Sequence, residues 1–169
     1  MSEDCPFCRP AADRLFHLGQ TILGLWDSYP VSPGHALLVP KRHVANWFDA
    51  TEEEQSELVG AIKVARSAIE QAHGPDGFNV GVNIGAAAGQ TVPHLHVHVI
   101  PRYSGDMADP RGGVRGVIPK MQNYLRESPD GSSVVRDREE PPPSSDLRAL
   151  IRGGEDDPLL PHLKSHLDS

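Results

Sequence analysis

The feature that most constrains this chain is the run Gln90-Thr91-Val92-Pro93-His94-Leu95-His96-Val97-His98-Val99-Ile100-Pro101. Histidines alternate with Leu or Val, branched side chains dominate and prolines bound the run, which reads as a β-strand. An extended chain repeats its side chains every two residues. His94, His96 and His98 therefore share one face, while Leu95, Val97 and Val99 point into a core. A single histidine is ordinarily a surface or hydrogen-bonded core side chain. Three in strict alternation fit that reading poorly, because rings buried together each need a polar partner. They make either a metal site or a row of nucleophile and acid–base groups. The preceding residues 81–91 are rich in Gly and Ala and able to bring backbone N–H groups close to an anion.

Gly89-Gln90-Thr91, two residues, then His94-x-His96-x-His98 resembles the signature of the histidine-triad (HIT) nucleotide-binding family. Pro33-Gly34-His35-Ala36-Leu37-Leu38-Val39-Pro40-Lys41-Arg42-His43 is similar to that family's second signature. The resemblance spans roughly residues 5–125 and is nearest the fragile-histidine-like, dinucleoside-polyphosphate branch. It implies a HIT-like fold of the α+β class: an antiparallel sheet of about five strands, one long helix packed on it, and two protomers paired.

The residues support that architecture independently. Leu15-Phe16-His17 and the run from Thr21 to Asp27 read as two short strands around a Gly19-Gln20 turn. Thr51-Glu52-Glu53-Glu54 is a capping box, and Leu58, Ile62, Ala65, Ile69 and Ala72 follow as one apolar stripe. Gly74-Pro75 stops the helix.

The resemblance also implies roles. His96 attacks the α-phosphorus and forms a nucleotidyl-histidine that water later hydrolyses. His98 holds a phosphate oxygen and sets the protonation of His96, His94 supports both, and His35 packs beside the triad and orients it. Gln90 and Thr91 donate to non-bridging oxygens beside Gly89, while Leu25 and Asp27 meet base and ribose. Asn83 stands where phosphoramidase relatives carry Asn and the fragile-histidine branch carries Gln, and either amide donates to a ribose or phosphate oxygen of the nucleotide.

Cys5-Pro6-Phe7-Cys8 leaves three readings open: half a zinc site, a redox dithiol, or two idle thiols. The resemblance favours zinc, with His43 and His94 completing a closed, structural site. Magnesium is expected only as the companion of a polyphosphate substrate.

Charge narrows the partners. The formal charge is −7, and from Ser128 onward nine acids and five bases account for −4 of it. That balance argues against a basic nucleic-acid surface. Two cysteines are too few for a secreted disulfide scaffold, Met1-Ser2-Glu3-Asp4 is not a basic leader, and no run is long enough to span a bilayer. A cytoplasmic protein is expected.

Residues 1–127 read as the nucleotide domain, and residues 128–146, around Pro141-Pro142-Pro143-Ser144-Ser145, as a linker. Residues 147–169 read as short amphipathic pieces, a docking tail or the start of a further module. The glycine-rich stretch from Asp109 to Lys120 is either a surface loop or a means of bringing Arg111, Arg115 or Lys120 to distal phosphates.

The expected function is cleavage of dinucleoside polyphosphates or related nucleotidyl conjugates, with release of a nucleoside monophosphate. The rivals are an AMP-sensing module with slow turnover serving a partner through the tail, a nucleoside phosphoramidase, and an Ap4A phosphorylase.

Overall fold

The computed structural model describes residues 5–123, with the short strands Leu125–Glu127 and Ser133–Val135. The rest of the tail read from the sequence lies outside the described residues. The chain divides after Asn123.

In the first unit, β1 (Leu15–Leu18) and β2 (Ile22–Trp26) form a hairpin closed by the Gly19 N–H donating to the Ile22 carbonyl at 2.9 Å. β3 (Ala36–Pro40), α1 (Glu52–His73), β4 (Gly77–Val82) and β5 (Val97–Arg102) follow. The sheet order is β1-β2-β3-β5-β4 with every neighbouring pair antiparallel. β5 inserts between β3 and β4, so the histidine segment runs through the interior of the sheet. In the second unit, β6 (Leu125–Glu127) pairs antiparallel with β7 (Ser133–Val135). β7 falls in the stretch read as linker, where Val134-Val135 supply branched side chains suited to a strand.

α1 starts where its sequence says it should. The Thr51 hydroxyl accepts from the Glu54 N–H at 3.2 Å, and the Glu54 carboxylate accepts from the Thr51 N–H at 2.9 Å. Gly74, in the left-handed region, ends the helix. Its buried stripe is Leu58, Ala61, Ala65 and Ile69. The expected Ile62 is only partly buried and Ala72 is exposed. Alanines 61 and 65 let the helix sit close to the sheet, which turns the larger Ile62 to the edge of the contact. Burying Leu58 and Ile69 stabilises the fold by roughly 1.5–3 kcal/mol each.

Each sheet face has its own cover. Ile22, Leu38, Leu95, Val97 and Val99 pack in the cluster that α1 buries. On the other face Leu23, Leu25, Leu37 and Val39 pack under Cys5 and Phe7 of the N-terminal turn. Cross-strand pairs share a face. The pairs Leu25↔Leu37, Leu37↔His98 and Gly81↔His98 therefore make one row across that second face.

The alternation of the histidine run holds, but its hydrogen-bonded ladder begins only at Val97. Upstream, Pro93 has no N–H, the His94 N–H turns back to the Val92 carbonyl, and the Leu95 N–H bonds Val44 at 2.7 Å.

Candidate functional site

Four side chains converge where the N-terminal turn meets the histidine segment. Cys5 Sγ lies 3.3 Å from His94 Nδ1, and Cys8 Sγ lies 3.2 Å from His43 Nδ1 and 3.7 Å from His94 Nδ1. All four donor atoms fall within 4.8 Å of one another. Zinc–sulfur bonds of about 2.3 Å and zinc–nitrogen bonds of about 2.0–2.1 Å at tetrahedral angles put S and N about 3.5 Å apart. The cluster therefore fits one tetrahedral zinc ion in both donor type and spacing. Burial holds the His94 imidazole below its ordinary pKa, favouring the neutral form that ligates metal.

The backbone fixes which nitrogen of each ring carries the proton, because a carbonyl can only accept. His94 Nε2–H donates to the Pro40 carbonyl at 2.9 Å, which leaves Nδ1 for the cysteine cluster. His96 Nδ1–H donates to the His94 carbonyl at 2.7 Å. The lone pair of a neutral His96 is thereby placed on Nε2. His35 Nδ1 faces both Asp27 Oδ2 at 3.1 Å and the Val31 N–H at 3.4 Å; a proton on Nδ1 satisfies the shorter, carboxylate contact, and His35 Nε2 then accepts from His98 Nδ1–H at 3.0 Å. Asp27, His35 and His98 form a relay across the strands. Burial pushes the His98 imidazole down to about 4, with the neighbouring His96 and His35 rings adding to the shift. Burial also lowers His35, against the opposing pull of the Asp27 carboxylate.

Two cavities flank this row. The first, about 270 Å³, is lined by Phe7, Asp27, Tyr29, Leu37 and Thr91, with His96 and His98 in its wall. The second, about 360 Å³, lies beyond His98, where His35 and Asn83 also contribute. Leu25 is fully buried behind its cross-strand partner Leu37, which is the leucine that reaches the first cavity.

Gly89 is left-handed (φ 84°) and closes the short 3-10 turn Ala86–Ala88. The Gln90 amide is committed to backbone groups: its oxygen accepts from the Gly85 N–H at 2.8 Å, and its NH₂ donates to Ala45 at 2.7 Å and Val92 at 3.1 Å. In this arrangement it staples its own loop. Arg111 is held by Asp109, and Arg115 donates to the Gln122 carbonyl. Lys120 is exposed.

Several cavity residues escape sequence reasoning. Tyr29, 89% exposed beside Asp27, carries a weak signal as a solvent-facing aromatic. Leu37 could have been inferred from its alternation with His35. Arg14, which lines the first cavity with its Nε donating to the Trp26 carbonyl at 3.0 Å, carries no sequence signal.

Residues 12–105 match the family described as HIT domain. The chain belongs to the HIT domain family. This HIT-domain protein is 42% identical over 89 residues to AP-4-A phosphorylase of Mycobacterium tuberculosis, covering 52% of this chain and 46% of the relative. It is 33% identical over 100 residues to the asymmetrical bis(5'-nucleosyl)-tetraphosphatase of Schizosaccharomyces pombe, covering 59% and 55%. The chain thus spans about half the length of these curated relatives. Among solved structures it is similar to a Zn-bound histidine triad family protein from Mycobacterium smegmatis. That match has a TM-score of 0.55 and 35% identity, and covers 63% of this chain and 80% of that one. Among the described residues, no helix is long and apolar enough to cross a membrane.

Proposed function

We propose that this HIT-domain protein transfers a nucleotidyl group from a dinucleoside polyphosphate, or a related nucleotidyl conjugate, to water through His96. The observation that carries the reading is the bond from His96 Nδ1–H to the His94 carbonyl, which leaves the Nε2 lone pair available on a ring that lines the first cavity beside His98. The names of the M. tuberculosis and S. pombe relatives, a phosphorylase and a tetraphosphatase, support the substrate class.

In the first step the Nε2 lone pair forms a bond to the α-phosphorus. The opposite P–O bond breaks, and its electron pair leaves with the second nucleotide. In the second step a water oxygen bonds to the same phosphorus and passes its proton to His98, which gave up its own to the leaving oxygen, the P–N pair returns to Nε2, and a nucleoside monophosphate is released. His98 is neutral before substrate arrives. The negative phosphate chain raises its proton affinity, so it gains a proton where the leaving oxygen needs one. Asp27 and His35 hold the His98 ring in register for that exchange, and Asp27 and Leu37 receive the nucleoside. Contact between Gln90 and a phosphate oxygen requires its amide to exchange one of its backbone partners.

Zinc bound by Cys5, Cys8, His43 and His94 is structural: it pins the N-terminal turn to the histidine segment. Magnesium accompanies the substrate. The same reading assigns the activity to residues 1–127, pairs two protomers in the cytoplasm, and leaves 147–169 as a docking tail or the start of a further module.

The test is incubation with diadenosine tri- and tetraphosphate, wild type beside His96→Ala. Release of AMP by wild type and an adenylylated protein in mixtures quenched with alkaline detergent, where the P–N bond survives, are expected. Losing the nucleophile should raise the barrier by about 4–7 kcal/mol, a rate loss of about 10³–10⁵. Binding without product from wild type rejects the hydrolase. The phosphorylase reading, favoured by the M. tuberculosis relative, requires added phosphate to divert the product from AMP to ADP.

A further inference from the structure

The second cavity has a position and a lining that the transfer chemistry alone does not call for. We propose that it is a leaving-group subsite, holding the departing nucleoside of a two-headed nucleotide substrate. The proposal rests on the functional reading above, in which the transferred nucleoside occupies the first cavity.

Position is the first argument. His96 lines only the first cavity, whereas His98 lines both. In-line displacement at a phosphorus held over His96 and His98 sends the leaving group away from His96 Nε2. The second cavity opens on that side, beyond His98. The cross-strand row Leu25, Leu37, His98 ends at Gly81, where an added Cβ would meet nothing within 4 Å. The sheet surface past His98 is therefore bare.

Lining chemistry is the second argument. Val31, Val114 and Val117 gather at this cavity while 72%, 57% and 75% exposed, and Ile100 joins them. Clustered solvent-facing apolar side chains around a concavity mark a ligand surface. The polar handles are the amides of Asn79 and Asn83. Asn79 Oδ1 already accepts from Arg102 at 2.6 Å, so the donor end of that amide is what a ligand meets.

No arginine or lysine lines this cavity among the described residues, so it does not suit a phosphate chain. A flat base edged with donors and acceptors fits it, and amide side chains are suited to a base edge. The glycine-rich loop from Asp109 to Lys120 contributes Val114 and Val117 to this lining. At about 360 Å³ against about 270 Å³, the second cavity is at least as roomy as the first.

The test uses the full chain and two substrates sharing one adenylyl group. Diadenosine triphosphate fills both cavities; adenosine 5'-phosphoramidate, whose leaving group is ammonia, fills only the first. Val114→Asp places a charge at an exposed rim position, and Gly81→Val adds bulk at the cavity floor, where the new Cβ meets nothing within 4 Å. Each variant should lose about tenfold or more in kcat/KM for diadenosine triphosphate, the scale of a spoiled apolar pocket, and keep phosphoramidate turnover within about twofold. Thermal midpoints close to wild type establish that both variants are folded. Unchanged diadenosine triphosphate turnover in both variants, or equal losses on the two substrates, overturns the subsite and leaves the functional reading standing. A wild type that cleaves neither substrate overturns both.

Discussion

At the scale of single residues, chemistry here is decided by where ring protons sit. Two main-chain carbonyls, of Pro40 and His94, give neighbouring histidines opposite tautomers: His94 turns Nδ1 to the cysteines, and a neutral His96 carries its lone pair on Nε2. The roles came from the family resemblance, but the tautomers behind them were not legible in the sequence. Leu25 and Gln90 teach the same lesson. Their positions follow from the motif, but burial behind Leu37 and three backbone partners for one amide are tertiary facts.

A pH prediction belongs at this scale. Histidines in an unfolded chain titrate near 6.5, whereas His98 is held at about 4, and His35 is also lowered, chiefly by burial. Between those values the unfolded chain binds protons that the folded chain refuses, so stability rises with pH there. It should be complete above about pH 6.5 and fall progressively toward pH 4. Urea midpoints across that range should show the decline, and His98→Asn should flatten it. An unchanged slope would count against a buried, neutral His98.

At the scale of elements, the helix and the loop after β3 are joined by one carboxylate. Glu54 completes the capping box of α1 and also accepts from Arg42 through both oxygens, at 2.9 and 2.7 Å. Arg42 precedes the metal-cluster residue His43, so the start of the helix also fixes the loop that presents an imidazole to the cysteines. The Arg42 hydrogen bonds hold Glu54 below the ordinary carboxylate range. Thr51→Ala removes the reciprocal cap and should cost about 1 kcal/mol in denaturant-derived stability. Arg42→Ala should lower zinc content measured in the purified protein, an effect that Thr51→Ala should not reproduce. The capping box was readable from Thr51 and Glu54, but its second partner was not, because Arg42 and Glu54 meet only after the chain has folded.

At the scale of the whole molecule, the Cys–His cluster, the core and the site share one wall. The N-terminal turn covers the second sheet face through Cys5 and Phe7, and Phe7 packs on both His94 and His96, with ring centroids 5.9 and 5.0 Å away. Zinc held by the four-residue cluster would therefore stabilise the same residues that orient His96. Chelation, or Cys8→Ser, should lower the thermal midpoint by about 10 °C, the effect of losing a few kcal/mol of ligand-linked stability in a domain of this size. Nucleotide release should fall with it, because the His94 carbonyl that sets the His96 tautomer is then less firmly held. An unchanged midpoint with metal removed would mean that the turn is held by packing alone.

The sequence by itself determined the periodicities: two-residue alternation in the histidine strand, a capped helix with an apolar stripe, and a CxxC pair separated from its imidazoles. These are local properties of the backbone, and they were enough to indicate the α+β class and the histidine row, while the remaining candidate site residues came from the resemblance to the HIT family. Only the tertiary structure decided how those residues divide the work, turning His94 toward sulfur, His96 toward the first cavity and His98 toward His35 and both cavities. The physical reason is that hydrogen-bond partners, burial and empty space arise between segments far apart in the chain, and no local pattern encodes them.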